Sequence, residues 1–371
     1  MSNILNYAQN IKESFELLPF HSVDSLILSW LSYFHIPADY QEAYAWKGIP
    51  LSELIPCFLV SPKEESPLQQ SQELLTFLAQ NPRFSRIRVM GYTRQTNTEE
   101  EKQFAAMTFR IHSRLAYVAF RGTDATFVGW KEDFNMAFQY PVPSQTAAAK
   151  YLALAASWVP GALQVGGHSK GGNLAVYAAA QSPEPVKERI EKIYSHDGPG
   201  FLAQVLSTPA FLSIQSRVEK TLPQSSLVGM LLEQQDNHRI VKSSQISLLQ
   251  HDPLSWTVEG EDFCYMDHLT KSARFMDQTL SEWIGSLSPQ EREVFVNTLY
   301  SLLSNTNIES LVQLKGNLLK IIPSMLLSFS ALEPDTRKFV KKTFQDLISL
   351  AIKFAPEHFF LTSSQNPPSD H

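Results

Sequence analysis

The sequence predicts an α/β protein in which a mostly parallel sheet carries helices on both faces. Alternating or β-rich apolar runs within residues 86–120 come first, and they favour three early antiparallel strands. After them, segments with helical spacing alternate with short apolar segments, the order typical of βαβ units and parallel strands. A glycine-rich turn at residues 166–172 joins one of those strands directly to a strong helix-forming segment.

The bulk composition is that of a globular protein without a nucleic-acid surface. With 371 residues, 43% of them hydrophobic, the chain can bury a large core and has room for two or three domains. A net charge of −6 offers no basic surface for nucleic acid. The two cysteines, Cys57 and Cys264, lie too far apart in sequence for a disulfide scaffold or a CxxC metal site.

The chain is expected to be cytoplasmic. Its first 18 residues lack a basic segment followed by an apolar run, so they do not resemble a signal peptide. The most apolar stretch of the tail, residues 318–332, contains a lysine and a proline and is too short to span a bilayer.

Changes in the pattern divide the chain into four segments. We expect a helical N-terminal segment packed on the core (1–85), followed by an α/β core (86–271) with a candidate lid at 222–240. A helical C-terminal subdomain (272–365) and a disordered tail (366–371) complete the chain.

Individual elements are predicted from periodicity and capping residues. The expected strands are residues 87–92, 104–111, 115–120, 162–165, 190–195, 216–222 and 245–249. Helices are expected at residues 130–138 and 146–158 and from Gly172 onward. Ser22 is the expected cap of an N-terminal helix, and Ser288 with Glu291 forms a capping box for a C-terminal one.

The turn at Gly167, Ser169 and Gly171 has the pattern G-x-S-x-G between a strand and a helix. Such a sharp turn pushes the serine hydroxyl out of the sheet, and the flanking glycines keep other atoms clear of it. The strand-turn-helix context favours the nucleophile elbow of a serine hydrolase over an ordinary glycine-rich turn. Three early strands, then βαβ units with this serine after a central strand, form the α/β-hydrolase arrangement.

A serine nucleophile needs an imidazole base to take its proton. In this fold class the acid and then the histidine follow the serine in sequence. His251 comes directly after the expected strand at 245–249 and is the predicted base, with His268 in reserve at an expected helix start. His196 and His238 are expected to be structural or solvated.

Asp197 is the predicted acid, because it follows the expected strand at 190–195 and a Gly-Pro-Gly turn exposes it. The alternative is an aspartate that only caps this turn or the next helix. Asp236 and Asp252 are the fallback candidates.

Acyl transfer also needs two amide donors aimed at the developing oxyanion. The loop after the strand at 115–120 makes the Thr123 amide one candidate donor, and the Lys170 amide after the serine is the other. Only the backbone of Lys170 is implicated, and its side chain is expected to point to solvent.

Phe120-Arg121-Gly122-Thr123, Trp130 with Asp133, and the elbow together resemble the class-three (fungal triacylglycerol type) lipase family over roughly residues 85–260. Gln250-His251-Asp252 with Trp256 resembles that family's catalytic-histidine neighbourhood. The resemblance implies an α/β-hydrolase fold, Thr123 at the oxyanion, and a structural role for Asp133 in support of the oxyanion loop.

The sequence departs from that family at the acid. The family's usual position corresponds to residues 224–228, which contain no carboxylate, whereas Asp197 with its Gly-Pro turn is similar to pancreatic-type lipases. Over its whole length the chain resembles a family of bacterial lipase-like proteins with no settled substrate. That resemblance supports the fold and not a reaction.

The predicted function is therefore a serine hydrolase that cleaves a carboxylic ester, most plausibly a lipid acyl ester, through Ser169, His251 and Asp197. The alternative is a catalytically inactive hydrolase fold that binds a protein partner through its helical tail. No nucleotide loop or metal-ligand spacing is present, so no cofactor and no metal are expected. Residues 227–232 are expected to form a core helix or, alternatively, a lid or acyl-pocket wall.

Overall fold

A nine-stranded mixed sheet organises the molecule. The structure is a computed structural model that describes residues 2–58, 68–124, 127–232, 238–304 and 324–354. The sheet has the strand order β1-β2-β3-β4-β5-β6-β7-β8-β11, and β9 and β10 form a separate hairpin. Helices cover both faces, so the predicted α/β-hydrolase-like fold is confirmed.

The strands change from antiparallel to parallel at β4. The strands are β1 (Ile49–Pro50), β2 (Arg88–Asn97), β3 (Lys102–His112), β4 (Leu115–Phe120), β5 (Ala162–His168), β6 (Ile190–His196), β7 (Val218–Pro223), β8 (His238–Val241), β9 (Val258–Glu259), β10 (Asp262–Phe263) and β11 (Tyr265–Met266). Strands β1 to β4 pair antiparallel, β4 to β8 pair parallel, and β11 pairs antiparallel with β8 at the edge. The parallel strands all end at one edge of the sheet, where ligand sites of open α/β sheets lie.

The α-helices lie on the two faces of the sheet and in a C-terminal group. They are α1 (Ile4–Asn10), α2 (Ser22–Leu31), α3 (Gln41–Tyr44), α4 (Leu51–Leu54), α5 (Leu68–Gln80), α6 (Phe127–Asn135), α7 (Pro143–Trp158), α8 (Lys170–Ala180), α9 (Glu184–Lys187), α10 (Ala203–Leu206), α11 (Pro209–Leu212), α12 (Lys271–Gly285), α13 (Pro289–Ser304), α14 (helical residues 324–330) and α15 (Pro334–Phe354). Among the described residues, no helix combines the length and apolar character needed to cross a membrane.

Alternation along β4 divides the apolar core into two halves. Tyr117 and Ala119 point into the half that contains α1, α2 and α5, whereas Val118 and Phe120 point into the half that contains α7 and α8. This is the two-residue period of a strand buried on both faces. As a result, the N-terminal helices take the place of one helical layer of the α/β sandwich.

The C-terminal helices pack mainly on one another. Trp283 of α12 and Phe344 of α15 each lie 5.3 Å, centroid to centroid, from the ring of Phe295 of α13. Ser288 and Glu291 form the predicted capping box at the start of α13, with hydrogen bonds of 2.8 and 3.3 Å. The expected disordered tail, residues 366–371, lies outside the described residues.

Six of the seven predicted strands are confirmed, and the one that fails lies after residue 223. Residues 245–249 are not a strand, because the chain makes a 3₁₀ turn at Ser247–His251 instead. Residues 227–232 form turns and bends rather than a core helix. His21, not Ser22, caps α2, since the His21 ring accepts the Val23 amide.

A buried ion pair joins distant parts of the N-terminal segment. The Arg83 guanidinium donates to both carboxylate oxygens of Asp24 at 2.9 and 2.6 Å. It also donates to the carbonyl oxygens of Glu13 and Leu18 at 2.8 and 2.9 Å. This one side chain therefore fixes the position of α2 and of the loop that precedes it.

We expect Arg83→Met to lower the free energy of unfolding by about 3–5 kcal/mol, because the substitution leaves the Asp24 carboxylate buried and unpaired. Urea denaturation followed by circular dichroism measures the loss. Arg239→Met is the matched control: its half-exposed guanidinium pairs loosely with Glu219 and Asp262, at 3.9 and 3.6 Å. That variant should change stability by less than about 1 kcal/mol, and equal losses in the two variants would refute the role of Arg83.

Candidate active site

Ser169 occupies a strained turn between β5 and α8. Its backbone has φ 58° and ψ −136°, a conformation that costs a non-glycine residue free energy. The Ser169 amide donates to the His196 carbonyl at 2.9 Å, and the Ser169 carbonyl accepts the Gly172 amide at 2.9 Å. These two bonds hold the turn against the end of β6 and the start of α8.

The glycines beside Ser169 permit close contact with β4. A Cβ atom added at Gly167 would lie 2.3 Å from the backbone carbon of Gly171, and one added at Gly171 would lie 2.1 Å from the Phe120 carbonyl oxygen. Any side chain at either position would therefore push the elbow off the sheet. This contact places Ser169 next to the loop that follows β4.

Asp197 and His251 form a direct hydrogen-bonded pair. The His251 Nδ1 atom lies 2.6 Å from Asp197 Oδ2, within charge-assisted hydrogen-bond distance. The Asp197 side chain is fully buried, whereas that of His251 is 28% exposed. A buried carboxylate on one ring nitrogen fixes both the tautomer and the orientation of the ring.

Asp197 is held in place by the turn after β7. Its Oδ1 atom accepts hydrogen bonds from the Ser226 hydroxyl and, at 3.1 Å, from the Gly229 amide. The Gly229 carbonyl in turn accepts Lys220 Nζ at 2.9 Å. Burial lowers the pKa of Lys220 to about 7, an effect that the charge of Asp197 opposes. The turn of Ser226 and Gly229, near the position where the lipase family has its acid, therefore supplies hydrogen-bond donors to Asp197 at the end of the neighbouring strand.

His251 lies at the end of a short 3₁₀ helix, and three hydrogen bonds hold this helix in place. The His251 carbonyl accepts His168 Nε2 at 2.8 Å. The preceding Gln250 accepts Trp256 Nε1 on its carbonyl at 2.8 Å and the Ser225 amide on its side chain at 2.9 Å. The rings of His168 and His251 lie 4.5 Å apart, centroid to centroid.

The three residues predicted to react lie at one edge of the sheet. Ser169 directly follows β5 and Asp197 directly follows β6, two strands that end in register at His168 and His196. His251 is tied to both through Asp197 and His168. Within the described residues, the Ser169 hydroxyl makes no hydrogen bond to the His251 ring. Such bonds are often long in ligand-free sites and shorten when substrate binds.

The loop after β4 adjoins Ser169 and is supported from α6. A Cβ atom added at Gly122 would lie 2.9 Å from Ser169 Cβ, so Thr123 is one residue from direct contact with the elbow. The Thr123 hydroxyl donates to Asp133 Oδ1 at 2.7 Å. Asp133 therefore has the loop-supporting contact that the lipase resemblance implies.

The expectation that Lys170 points to solvent is wrong. Its side chain is buried, and Nζ donates to Glu132 Oε2 at 2.9 Å and to the Gln103 carbonyl at 3.1 Å. The fully buried Glu132 also accepts the Gln103 and Ser144 amides at 3.0 and 2.7 Å. Lys170 thus joins the start of α8 to α6 and β3, beneath the loop of Thr123.

None of the other titratable candidates among the described residues forms a hydrogen bond with Asp197. His268 is exposed in the bend after β11. Asp252 caps a 3₁₀ turn by accepting the Leu254 amide at 3.0 Å, and burial raises its pKa. Asp236 lies outside the described residues. No cluster of three or more side chains suited to a metal ion occurs within the described ranges.

The sequence profile of the Mbeg1-like family matches residues 78–301, more than half of the chain. The chain belongs to the Mbeg1-like family. A comparison with curated proteins found no match.

Two solved structures are similar to this Mbeg1-like chain: a Rhizomucor miehei lipase propeptide complex and the M37 lipase. Each is 16% identical to it, with a TM-score of 0.34. The alignments cover 58% and 57% of this chain, and 65% and 70% of the other two. The chain therefore spans slightly less than two thirds of the Rhizomucor miehei structure.

The sequence alone does not predict several residues of the site. Glu132, Ser226 and Lys220 hold other residues in place and carry no motif of their own. The adjacent acids Glu132 and Asp133 were the available signal, because a carboxylate that becomes buried needs a cation or hydrogen-bond donors. Tyr33 has only helical spacing in the sequence, yet its hydroxyl lies 3.2 Å from His168 Nδ1.

His196, which directly precedes Asp197 in sequence, should make the free energy of unfolding fall at acid pH. Burial lowers its pKa from 6.5 to about 3. Between those two pH values the unfolded chain binds a proton that the folded protein does not, so stability falls as pH falls. The contribution is at most about 1.4 kcal/mol per pH unit.

We expect the unfolding free energy of His196→Gln to fall less steeply than that of the wild type between pH 6.5 and 3. Urea titrations at several pH values measure both slopes. The difference at pH 7 reports the lost hydrogen bonds to Thr221 and Ser25 together with the lost packing of the ring against Tyr194, Trp256 and Phe263. Parallel slopes would show that His196 does not titrate as described.

Proposed function

We propose that this protein is a serine hydrolase that cleaves a carboxylic ester through an acyl-enzyme. Ser169 attacks the ester carbonyl, and Nε2 of His251 takes the serine proton and later returns it to the leaving group. Asp197 holds the His251 ring and stabilises its protonated form. The amides of Thr123 and Lys170 bind the oxyanion of the tetrahedral intermediate.

The hydrogen bond between Asp197 and His251 is the observation that carries this proposal. It joins residues 54 positions apart, and it occupies Nδ1, which leaves Nε2 as the nitrogen available to the serine. A buried carboxylate with a purely structural role needs only hydrogen-bond donors. Asp197 instead bonds a partly exposed imidazole at the sheet edge that also carries Ser169, which favours a catalytic role. The N-terminal end of α8 adds partial positive charge next to Ser169.

Lipid acyl esters are the proposed substrate class. Ile246 and Leu249 closely precede His251 in sequence and leave 74% and 58% of their surfaces exposed. Two exposed aliphatic side chains beside a candidate base provide apolar surface for an acyl chain. The resemblance to lipases in the elbow and oxyanion loop favours the same class.

A fluorophosphonate probe tests the nucleophile. We expect the probe to form a covalent adduct at Ser169 of the wild-type protein, because an activated serine attacks the phosphorus and displaces fluoride. Ser169→Ala should abolish the adduct, with mass spectrometry of tryptic peptides as the readout. A folded wild-type protein that stays unlabelled would indicate a hydrolase fold without activity, which serves as a binding protein.

Replacement of Asp197 by Asn tests the acid. By analogy with other triads, we expect kcat for an aryl ester to fall about 10⁴-fold, because the amide favours the wrong His251 tautomer. Asp252→Asn is the matched control: an asparagine can still cap the turn, so kcat should stay within about threefold of wild type. An unchanged rate in Asp197→Asn would move the acid role to another residue.

A further inference from the structure

Two buried side chains outside the proposed triad connect the N-terminal segment to His251. Tyr33 lies in the turn after α2, and its hydroxyl is 3.2 Å from His168 Nδ1. His168 Nε2 is 2.8 Å from the His251 carbonyl oxygen. Tyr33 is 8% exposed and His168 is 3% exposed, so water competes little for either bond.

The partners of His168 determine which nitrogen carries the proton. A carbonyl oxygen only accepts, so Nε2 must donate to His251. Burial, together with the nearby charge of His251, lowers the pKa of His168 well below its usual value, so the ring is neutral. Its Nδ1 atom is therefore unprotonated and can accept the Tyr33 hydroxyl, which also lies 3.3 Å from the His168 carbonyl oxygen. The His251 carbonyl thus sets the tautomer of His168, and the Tyr33 hydroxyl provides a second bond that is compatible with it.

The anchored carbonyl belongs to a short segment that a small set of hydrogen bonds holds in place. The 3₁₀ helix that ends at His251 is five residues long, and its other bonds include those of Gln250 to Trp256 and Ser225. Leu249 within this helix and Ile246 before it are exposed. The bond from His168 fixes the His251 backbone, and the bond from Asp197 fixes its ring. Since His168 directly precedes Ser169, the same ring sets the distance between the serine and the imidazole.

We propose that Tyr33 and His168 are positioning residues that hold the His251 backbone, and hence its ring, in register with Ser169. This inference rests on the proposed function. It also gives the N-terminal segment a role in the site. Tyr33 lies before residues 78–301, which match the Mbeg1-like family profile. Neither residue touches the reacting atoms.

Four variants test the proposal. His168→Leu removes the donor and keeps apolar volume, whereas His168→Gln can present an amide N–H to the His251 carbonyl. Tyr33→Phe removes only the hydroxyl. Tyr151→Phe is the matched control, because it removes a buried hydroxyl that bonds Thr108 and the Gly91 carbonyl, at 3.0 and 2.9 Å, on the other face of the sheet.

We expect His168→Leu to lower kcat for an aryl ester about 100-fold, the scale of a 1 Å misplacement, with KM within about threefold of wild type. His168→Gln should recover at least about tenfold of that loss. Tyr33→Phe should lower kcat about three- to tenfold, since the His168 ring then loses its hydrogen bond at Nδ1 and is held less firmly. Tyr151→Phe should lower thermal stability and leave kcat unchanged.

A spectroscopic readout separates positioning from general loss of structure. The proton between His251 Nδ1 and Asp197 gives a downfield resonance in proton NMR spectra of the full chain. That resonance should broaden or vanish in His168→Leu, persist in His168→Gln, and be unchanged in Tyr151→Phe. If His168→Leu does not fold, Tyr33→Phe and His168→Gln provide the same comparison.

Two results overturn the positioning role: a folded His168→Leu with wild-type kcat and resonance, or a His168→Gln as impaired as the leucine variant. Failure of the proposed function gives a different result. In that case wild-type Ser169 takes up no fluorophosphonate, and the resonance of the Asp197–His251 pair still decides whether His168 positions the ring.

Discussion

The close approach of the elbow to strand β4 is the constraint on which the rest of the site depends. With hydrogen atoms as the only side chains at Gly167 and Gly171, the first turn of α8 lies directly against the Phe120 carbonyl. That contact brings the loop of Thr123 beside Ser169. It also leaves no room for adjustment, because a single added methyl group on either glycine would overlap backbone atoms.

Near this contact, buried charged side chains fix the positions of the neighbouring helices and turns. Lys170 and Glu132 are both fully buried and meet at 2.9 Å. The desolvation of such a pair offsets most of its Coulombic attraction, so its value lies in specifying one arrangement of α6, α8 and β3 more than in net stability. Lys220 similarly holds the turn of Ser226 and Gly229, which donates hydrogen bonds to Asp197.

Local signals in the sequence predicted the elements that carry the site but not the contacts that hold them. The elbow and strands β2 to β7 were predictable, because glycines, apolar alternation and helix formers act over a few residues. The inward direction of Lys170 was not, since it depends on a carboxylate 38 positions away. The strand expected at 245–249 failed because Ile246 and Leu249, although apolar, face outward and support no pairing.

The N-terminal segment is closed over the sheet by bonds to a distant part of the chain. The Asn3 side chain donates to the Leu254 carbonyl at 2.7 Å, and the Val258 amide donates to the Ser2 carbonyl at 3.0 Å. During synthesis, helices α1 and α2 leave the ribosome long before residues 254–258 exist. The N-terminal segment must therefore wait for a later part of the core, with its apolar surface exposed meanwhile to chaperones or to aggregation.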